Sequence, residues 1–149
     1  MEIIDLLKFE GKDKYLEKLK ECEWRAGKYL YGLVNNDELE KMCGENPRLF
    51  VLVDNDNIVS FCTYVHQDEI DAKHLFPWIG FVYTYPKYRG HRYFGMLLKH
   101  IIELAKEETY KYIYVSTNES GLYEKYGFTY FDNMLDITGN DSRIYRYKL

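Results

Sequence analysis

The hydrophobic pattern is sharpest between Phe94 and Ala105. Phe94, Leu97, Leu98, Ile101, Ile102 and Ala105 recur at i, i+3, i+4, i+7, i+8 and i+11, while Lys99, His100, Glu103, Lys106 and Glu107 fill the other face. That period is helical and predicts an amphipathic helix from just after Arg92 to Glu107, laid on a sheet or on other helices. A strand-like run, Trp78 to Thr84, precedes it behind Pro77, and a second, Tyr112 to Thr117, comes after it. Strand, loop, helix and strand over about forty residues make a βαβ unit, ordinarily right-handed with its two strands parallel.

Upstream, Tyr15, Leu16, Leu19 and Cys22 form one stripe among lysines and glutamates, so residues 12–22 read as a helix. A second helix is expected over Ala26 to Val34, and a short third over Leu39 to Met42, capped by Asn36 or Asp37. Residues 1–45 are thus expected to be helical. Leu49 to Val53 and Ile58 to Val65 flank the turn cluster Asp54-Asn55-Asp56-Asn57 and predict a β-hairpin. His66 to Phe76 is polar and turn-like. Downstream, a short helix over Gly121 to Tyr126 stops at Gly127, which suits a C-cap. Thr129 to Ile137 and Arg143 to Leu149 predict a last hairpin around Gly139-Asn140-Asp141. The sum is a single α/β domain, residues 1–149, with a mixed, mostly antiparallel sheet. Its one central parallel step is flanked by helices.

A net charge of −4 argues against nucleic acid as a partner. No run approaches the ~18 apolar residues of a membrane span. Met1-Glu2-Ile3-Ile4-Asp5 has neither the basic start nor the apolar core of a signal peptide. Cys22, Cys43 and Cys62 are odd in number and widely spaced, and read as free thiols. The histidines lack metal-ligand spacing, so no metal is expected, and the chain reads as cytoplasmic. Sixteen tyrosines raise the aromatic share to 17%, enough to line a pocket as well as a core edge.

Candidate chemistry lies in two stretches. Tyr88-Arg89-Gly90-His91-Arg92-Tyr93-Phe94-Gly95 feeds the N-terminus of the long helix, where backbone N–H groups lack partners and bind anions. The stretch is neither a Walker loop nor a dinucleotide fingerprint. It suits a pyrophosphate flanked by two guanidiniums, or else a solvated basic loop in which glycine only supplies a turn. The second stretch is Asn118 and then Gly121-Leu122-Tyr123-Glu124-Lys125-Tyr126-Gly127-Phe128. There a tyrosine on a short helix either presents its hydroxyl to a ligand or packs.

Both stretches together, in this order around a helix and a strand, resemble the GNAT superfamily of acetyl-CoA-dependent N-acetyltransferases. The match runs from about Trp78 to Phe128, and the flanking hairpins fit the same fold in order. The resemblance implies the acyl-CoA N-acyltransferase fold, with acetyl-CoA as co-substrate. In the family a Gln/Arg-x-x-Gly-x-Gly/Ala loop wraps the pyrophosphate of coenzyme A with its amides. Arg89 takes the first position, Arg92 stands where glycine is usual, and Phe94 stands at the Gly/Ala position. Phe94 departs from the pattern, so either its ring points into the sheet or Gly95 makes the close approach instead. The cofactor-binding set implied is Val82, Tyr83, Thr84, Arg89, Gly90, His91, Arg92, Tyr93, Phe94, Gly95 and Asn118. Val82 to Thr84 would pair with the pantetheine arm like an added strand.

The resemblance assigns Tyr123 to the departing thiolate and implies direct attack by a neutral amine through a tetrahedral intermediate. A backbone N–H near Val82 is the expected oxyanion donor. The general base is unassigned: Glu69, Asp71 and His74 lie upstream of the strand, and water is an alternative. Trp24, Arg25, Tyr29 and Tyr31, with Trp78 and Tyr83, suggest aromatic walls for an amine carried by a small molecule or a peptide. The chain is expected to be a monomer or a homodimer, with its C-terminal strand as the pairing edge. Rival readings are a non-catalytic acyl-CoA-binding module of the same fold, and a phosphate- or nucleotide-binding protein unrelated to coenzyme A.

Overall fold

A computed structural model describes residues 1–149 and places seven strands in one sheet. They are β1 (Glu2–Asp5), β2 (Arg48–Asp54), β3 (Asn57–Val65), β4 (Trp78–Thr84), β5 (Tyr112–Thr117), β6 (Thr129–Leu135) and β7 (Asp141–Lys148). The spatial order is β1-β2-β3-β4-β5-β7-β6, and only β4 and β5 pair in parallel. The helices are α1 (Lys12–Lys20), α2 (Arg25–Asn35), α3 (Leu39–Cys43) and α4 (Phe94–Glu107). No helix is long and apolar enough to cross a membrane. The mixed sheet with one central parallel step is the architecture that the periodicity predicts.

Two expectations are corrected. The first residues are not helical: Glu2 to Asp5 pair antiparallel with Val53 to Phe50. Four residues carry no readable period, and the partner strand lies far along the chain, so this strand is imposed by tertiary pairing. The C-terminal strand is not an edge either. β7 lies between β5 and β6, and the open edges belong to β1 and β6.

The sheet is covered on both faces, which is why β2 and β3 read as nearly unbroken apolar runs. Leu49, Val51 and Val53 pack with Leu19, Leu30 and Leu33 of α1 and α2 on one face. Phe50 and Leu52 pack with Leu97, Leu98, Ile101 and Ala105 of α4 on the other. Each such leucine or isoleucine contributes about 1.5–3 kcal/mol by leaving water. The Asn55-Asp56 tip of the β2–β3 hairpin has positive φ at both residues (48° and 68°), as a tight hairpin turn requires.

Two irregularities interrupt the pairing of β4. Toward β3, Phe61 pairs with Tyr83 and Thr63 with Gly80, so Phe81 and Val82 stand opposite Cys62 alone. This is a β-bulge, and Phe81 at its centre has φ +47°, a left-handed conformation rare for a bulky residue. Toward β5, only Trp78↔Tyr114 and Ile79↔Val115 pair before the strands part. A bulge and a splay at the same level open a slot in the middle of the sheet.

Candidate active site

The loop from β4 to α4 begins with a 3-10 turn, Pro86–Tyr88. Gly90 has φ +89° and Arg92 has φ +56°, so two left-handed steps fold the chain tightly over the start of the helix. None of the amides of Gly90, His91, Arg92, Tyr93 and Phe94 donates to a protein acceptor; the first to do so is Gly95, to the Arg92 carbonyl at 2.9 Å. A run of free amides at a helix N-terminus, within the positive end of its dipole, is an anion cradle. Arg89 is fastened beside it. Its Nε donates to the Thr84 carbonyl at 2.9 Å, and its guanidinium lies 5.3 Å from the centre of the Tyr83 ring.

The cradle is one wall of a groove of about 680 Å³, which also takes in Val82 to Thr84, Leu122 and Tyr126. Its charged lining is Arg89, Arg92 and Lys125 against the single carboxylate of Glu119. Trp24, the residue before α2, lies flat on Tyr83 with ring centres 5.0 Å apart and planes 5° from parallel.

A second cavity of about 520 Å³ opens between β4, β5 and α2, and shares Trp24, Val82, Glu119 and Leu122 with the first. Its charged lining is Asp68, Glu69 and Glu119, with no lysine or arginine, and Tyr29 and Phe81 give it aromatic faces. The two cavities are therefore opposite in sign and adjoin across Trp24, Val82, Glu119 and Leu122, beside the bulge. Tyr123, buried on the 3-10 turn Tyr123–Tyr126, lines the second cavity. Burial, and after it the neighbouring Cys62, Glu119 and Asp68, pushes its phenol well above the ordinary range. It is a phenol that keeps its proton.

Of the residues singled out from sequence, Val82, Tyr83, Thr84, Arg89, Gly90, Arg92, Tyr93 and Phe94 line the first cavity. His91, Gly95 and Asn118 line neither. The Phe94 ring is turned inward and is 7% exposed, while Gly95 sits so close to Tyr126 that a β-carbon would come within 3.1 Å of that ring. Asn118 is exposed and its carbonyl accepts from Arg143, leaving the next residue, Glu119, to line both cavities. Trp24 and Tyr29 line the acidic cavity, whereas Trp78 is fully buried and donates to the Leu75 carbonyl at 2.7 Å.

Glu69 faces the acidic cavity and accepts from the Ser116 hydroxyl at 3.1 Å. Asp71 and His74 are exposed and line a separate depression near Met134. Asp68, passed over in the sequence as one more polar loop residue, is only 9% exposed and lines the acidic cavity. A signal for it did exist: Gly80 interrupts an otherwise bulky strand, the mark of a bulge or a close approach.

The model of the acetyltransferase (GNAT) family matches residues 12–128. No curated protein matches the chain in sequence. Among solved structures, an acetyltransferase from Streptococcus agalactiae 2603 is 19% identical with a TM-score of 0.69, over 99% of this chain and 98% of that one. An aminoglycoside 6'-N-acetyltransferase from Enterococcus faecium is 14% identical with a TM-score of 0.68, over 99% and 97%. A GNAT family acetyltransferase from Elizabethkingia anophelis with acetyl-CoA bound is 20% identical with a TM-score of 0.57, over 75% and 82%. At these identities the structural likeness speaks for the fold.

Proposed function

This chain belongs to the GNAT acetyltransferase family, and from that premise we propose that it transfers an acetyl group from acetyl-CoA to a cationic primary amine. The observation that carries the reading is the pair of adjoining cavities of opposite sign. The basic one, with free amides from Gly90 to Phe94, suits the pyrophosphate of coenzyme A. The acidic one, with aromatic faces at Trp24, Tyr29 and Phe81, suits an amine that arrives as an ammonium on a small molecule or a peptide. An anionic donor and a cationic acceptor are sorted into their own halves before they meet at Val82.

Val82 and Tyr83 lie where the sheet is open toward β5, so their main-chain groups are available to a pantetheine arm laid along the strand. The bulge breaks the β3 register at Phe81 and Val82, and an amide there would donate to the oxyanion that forms when the amine attacks the thioester. Tyr123 serves the leaving sulfur. A thiol of pKa about 8.5 is more acidic than this phenol, so complete proton transfer runs uphill. Tyr123 therefore acts as a hydrogen-bond donor that stabilises the thiolate while the C–S bond breaks.

The test is a panel of amines, including polyamines, amino sugars, amino acids and peptide N-termini, monitored by free-thiol release from acetyl-CoA. Calorimetry with acetyl-CoA and with ATP runs beside it. The expected result is acetyl-CoA binding, with transfer to multiply charged amines favoured over zwitterions. Binding without transfer to any amine would favour a non-catalytic module, and ATP binding without acetyl-CoA binding would overturn the reading.

A further inference from the structure

β4 carries no carboxylate, and at Gly80 it carries no side chain at all. A β-carbon built there would lie 2.5 Å from Oδ1 and 3.0 Å from Cγ of Asp68, and 3.1 Å from the hydroxyl of Thr63. The space that a strand residue would fill is taken by a carboxylate that descends from the β3–β4 connection. Thr63 is fully buried, and its hydroxyl has no partner in the protein. Asp68 is in no ion pair, although it is almost fully buried. A buried carboxylate without a cation is costly and asks for a reason.

We propose that Asp68 is the proton acceptor for the incoming amine, seated beneath the β4 bulge by the absence of a side chain at Gly80. The assignment rests on the acetyl-transfer reading. Asp68 lines the same cavity as Tyr123 and Glu119, so a cationic amine drawn into the acidic half meets its carboxylate there. Burial first, then the neighbouring Glu69 carboxylate, raise its pKa to about 7, against a smaller opposing pull from the Glu69 amide. The other titratable groups coupled to it are Cys43 at the end of α3 and Tyr123. Burial and Asp68 itself push the Cys43 thiol up to about 12, so it stays neutral, and no cation opposes the shift. A base that ionises near neutrality suits proton transfer at physiological pH.

In the transfer an ammonium N–H bond breaks, the proton forms an O–H bond on Asp68, and the freed lone pair forms the C–N bond as the carbonyl π pair moves to oxygen. Collapse restores the carbonyl and breaks the C–S bond. Of the two protons that nitrogen loses, one leaves Asp68 for solvent and the other ends on the sulfur of coenzyme A.

The experiment measures kcat/KM against pH from 5.5 to 8.5, with an acceptor amine of pKa about 10 that stays cationic throughout. With acetyl-CoA saturating, kcat/KM for the amine carries no inflection from the free amine or the free coenzyme in this range, so an inflection belongs to the enzyme–acetyl-CoA complex, and one that Asp68→Asn removes belongs to the protein. The wild-type profile is expected to rise and level near pH 7. Asp68→Asn is expected to lose about fiftyfold or more at pH 8 and to lose the inflection, with acetyl-CoA affinity by calorimetry unchanged. An acceptor of pKa about 5, already neutral, should recover most of that loss. A wild-type profile without an inflection, or an Asp68→Asn profile that keeps one, overturns the assignment and leaves acetyl transfer standing. A wild type that binds acetyl-CoA yet acetylates nothing overturns the underlying reading, and this one with it.

Discussion

The ring of Phe94 meets the ring of Tyr123 nearly edge-on, with centroids 6.1 Å apart and planes at 85°. One residue opens the helix behind the amide run and the other lines the acidic cavity, so this contact, with those of Phe94 on Tyr126 and Tyr123 on Phe128, ties the two half-sites together. Phe94→Ala should cost about 3–5 kcal/mol in denaturant unfolding, because the ring is buried. Phe94→Leu should cost about 1–2 kcal/mol. In the leucine variant kcat should fall about tenfold while acetyl-CoA affinity holds within about threefold, since the amides are kept while Tyr123, and Tyr126 with it, loses its edge-on partner. Equal losses of kcat and affinity would show that the ring serves the cradle instead.

Tyr123→Phe removes one hydroxyl and no packing. Acetyl-CoA affinity should be unchanged by calorimetry, and kcat should fall about tenfold or more, the scale of a lost donor to a developing anion. The effect should shrink for an acyl donor whose leaving thiol is more acidic, because a better leaving group needs the hydrogen bond less. Full turnover in the variant would take Tyr123 out of the reaction.

Arg92 stands at φ +56° in a position where glycine carries no steric cost. Arg92→Gly should therefore raise stability by about 0.5–1 kcal/mol, while Arg92→Val should lower it by about 1–2 kcal/mol, as read from thermal melts. The guanidinium is exposed and screened, so at physiological salt the glycine variant should hold acetyl-CoA within about threefold. A loss nearer a hundredfold would mean that the guanidinium binds the phosphates and the amide does not.

Helix α4, the β2–β3 hairpin and the βαβ step were legible because their signals are local: a 3.6-residue period, a cluster of turn residues and a strand on each side of a helix. The run of free amides before α4 was legible for the same reason, since it results from where a helix begins. The acidic half was legible only in Trp24, Tyr29, Glu69 and Tyr123. Asp68 has room at the cavity because Gly80, twelve positions later, carries no side chain, and Glu119 lines the wall while the Asn118 carbonyl accepts from Arg143, far along the chain. β1 was hidden likewise, since only its pairing with β2 makes it a strand. Contacts between distant residues leave at most a single odd letter in a sequence, here a glycine inside a strand.

That glycine gives its own prediction. In Gly80→Ala the new methyl would fall 2.5 Å from an Asp68 oxygen and 3.1 Å from the Thr63 hydroxyl, and one of them must move. Stability should fall by about 1–3 kcal/mol, the usual cost of overpacking. Acetyl transfer should fall about as far as in Asp68→Asn, with acetyl-CoA binding retained. A Gly80→Ala protein of ordinary activity would show that the position of the carboxylate is immaterial.

Asp68 also ties stability to pH, with a sign opposite to that of a salt-bridged aspartate. Its folded pKa, about 7, lies above its ordinary value of 3.8, so the folded chain holds the proton more tightly than the unfolded chain does. The associated stability is fully present below pH ~4 and is lost as pH rises through ~7. Asp68→Asn removes that one titration and leaves the others to cancel in the difference. The variant should match the wild type near pH 4 and exceed it at pH 8 by on the order of 2–4 kcal/mol, from 1.36 kcal/mol per pKa unit. Urea unfolding of both proteins across that range reads the difference directly. A difference that stays constant with pH would mean that the carboxylate is already hydrated in the folded chain, and would remove the desolvation that poises it near neutrality.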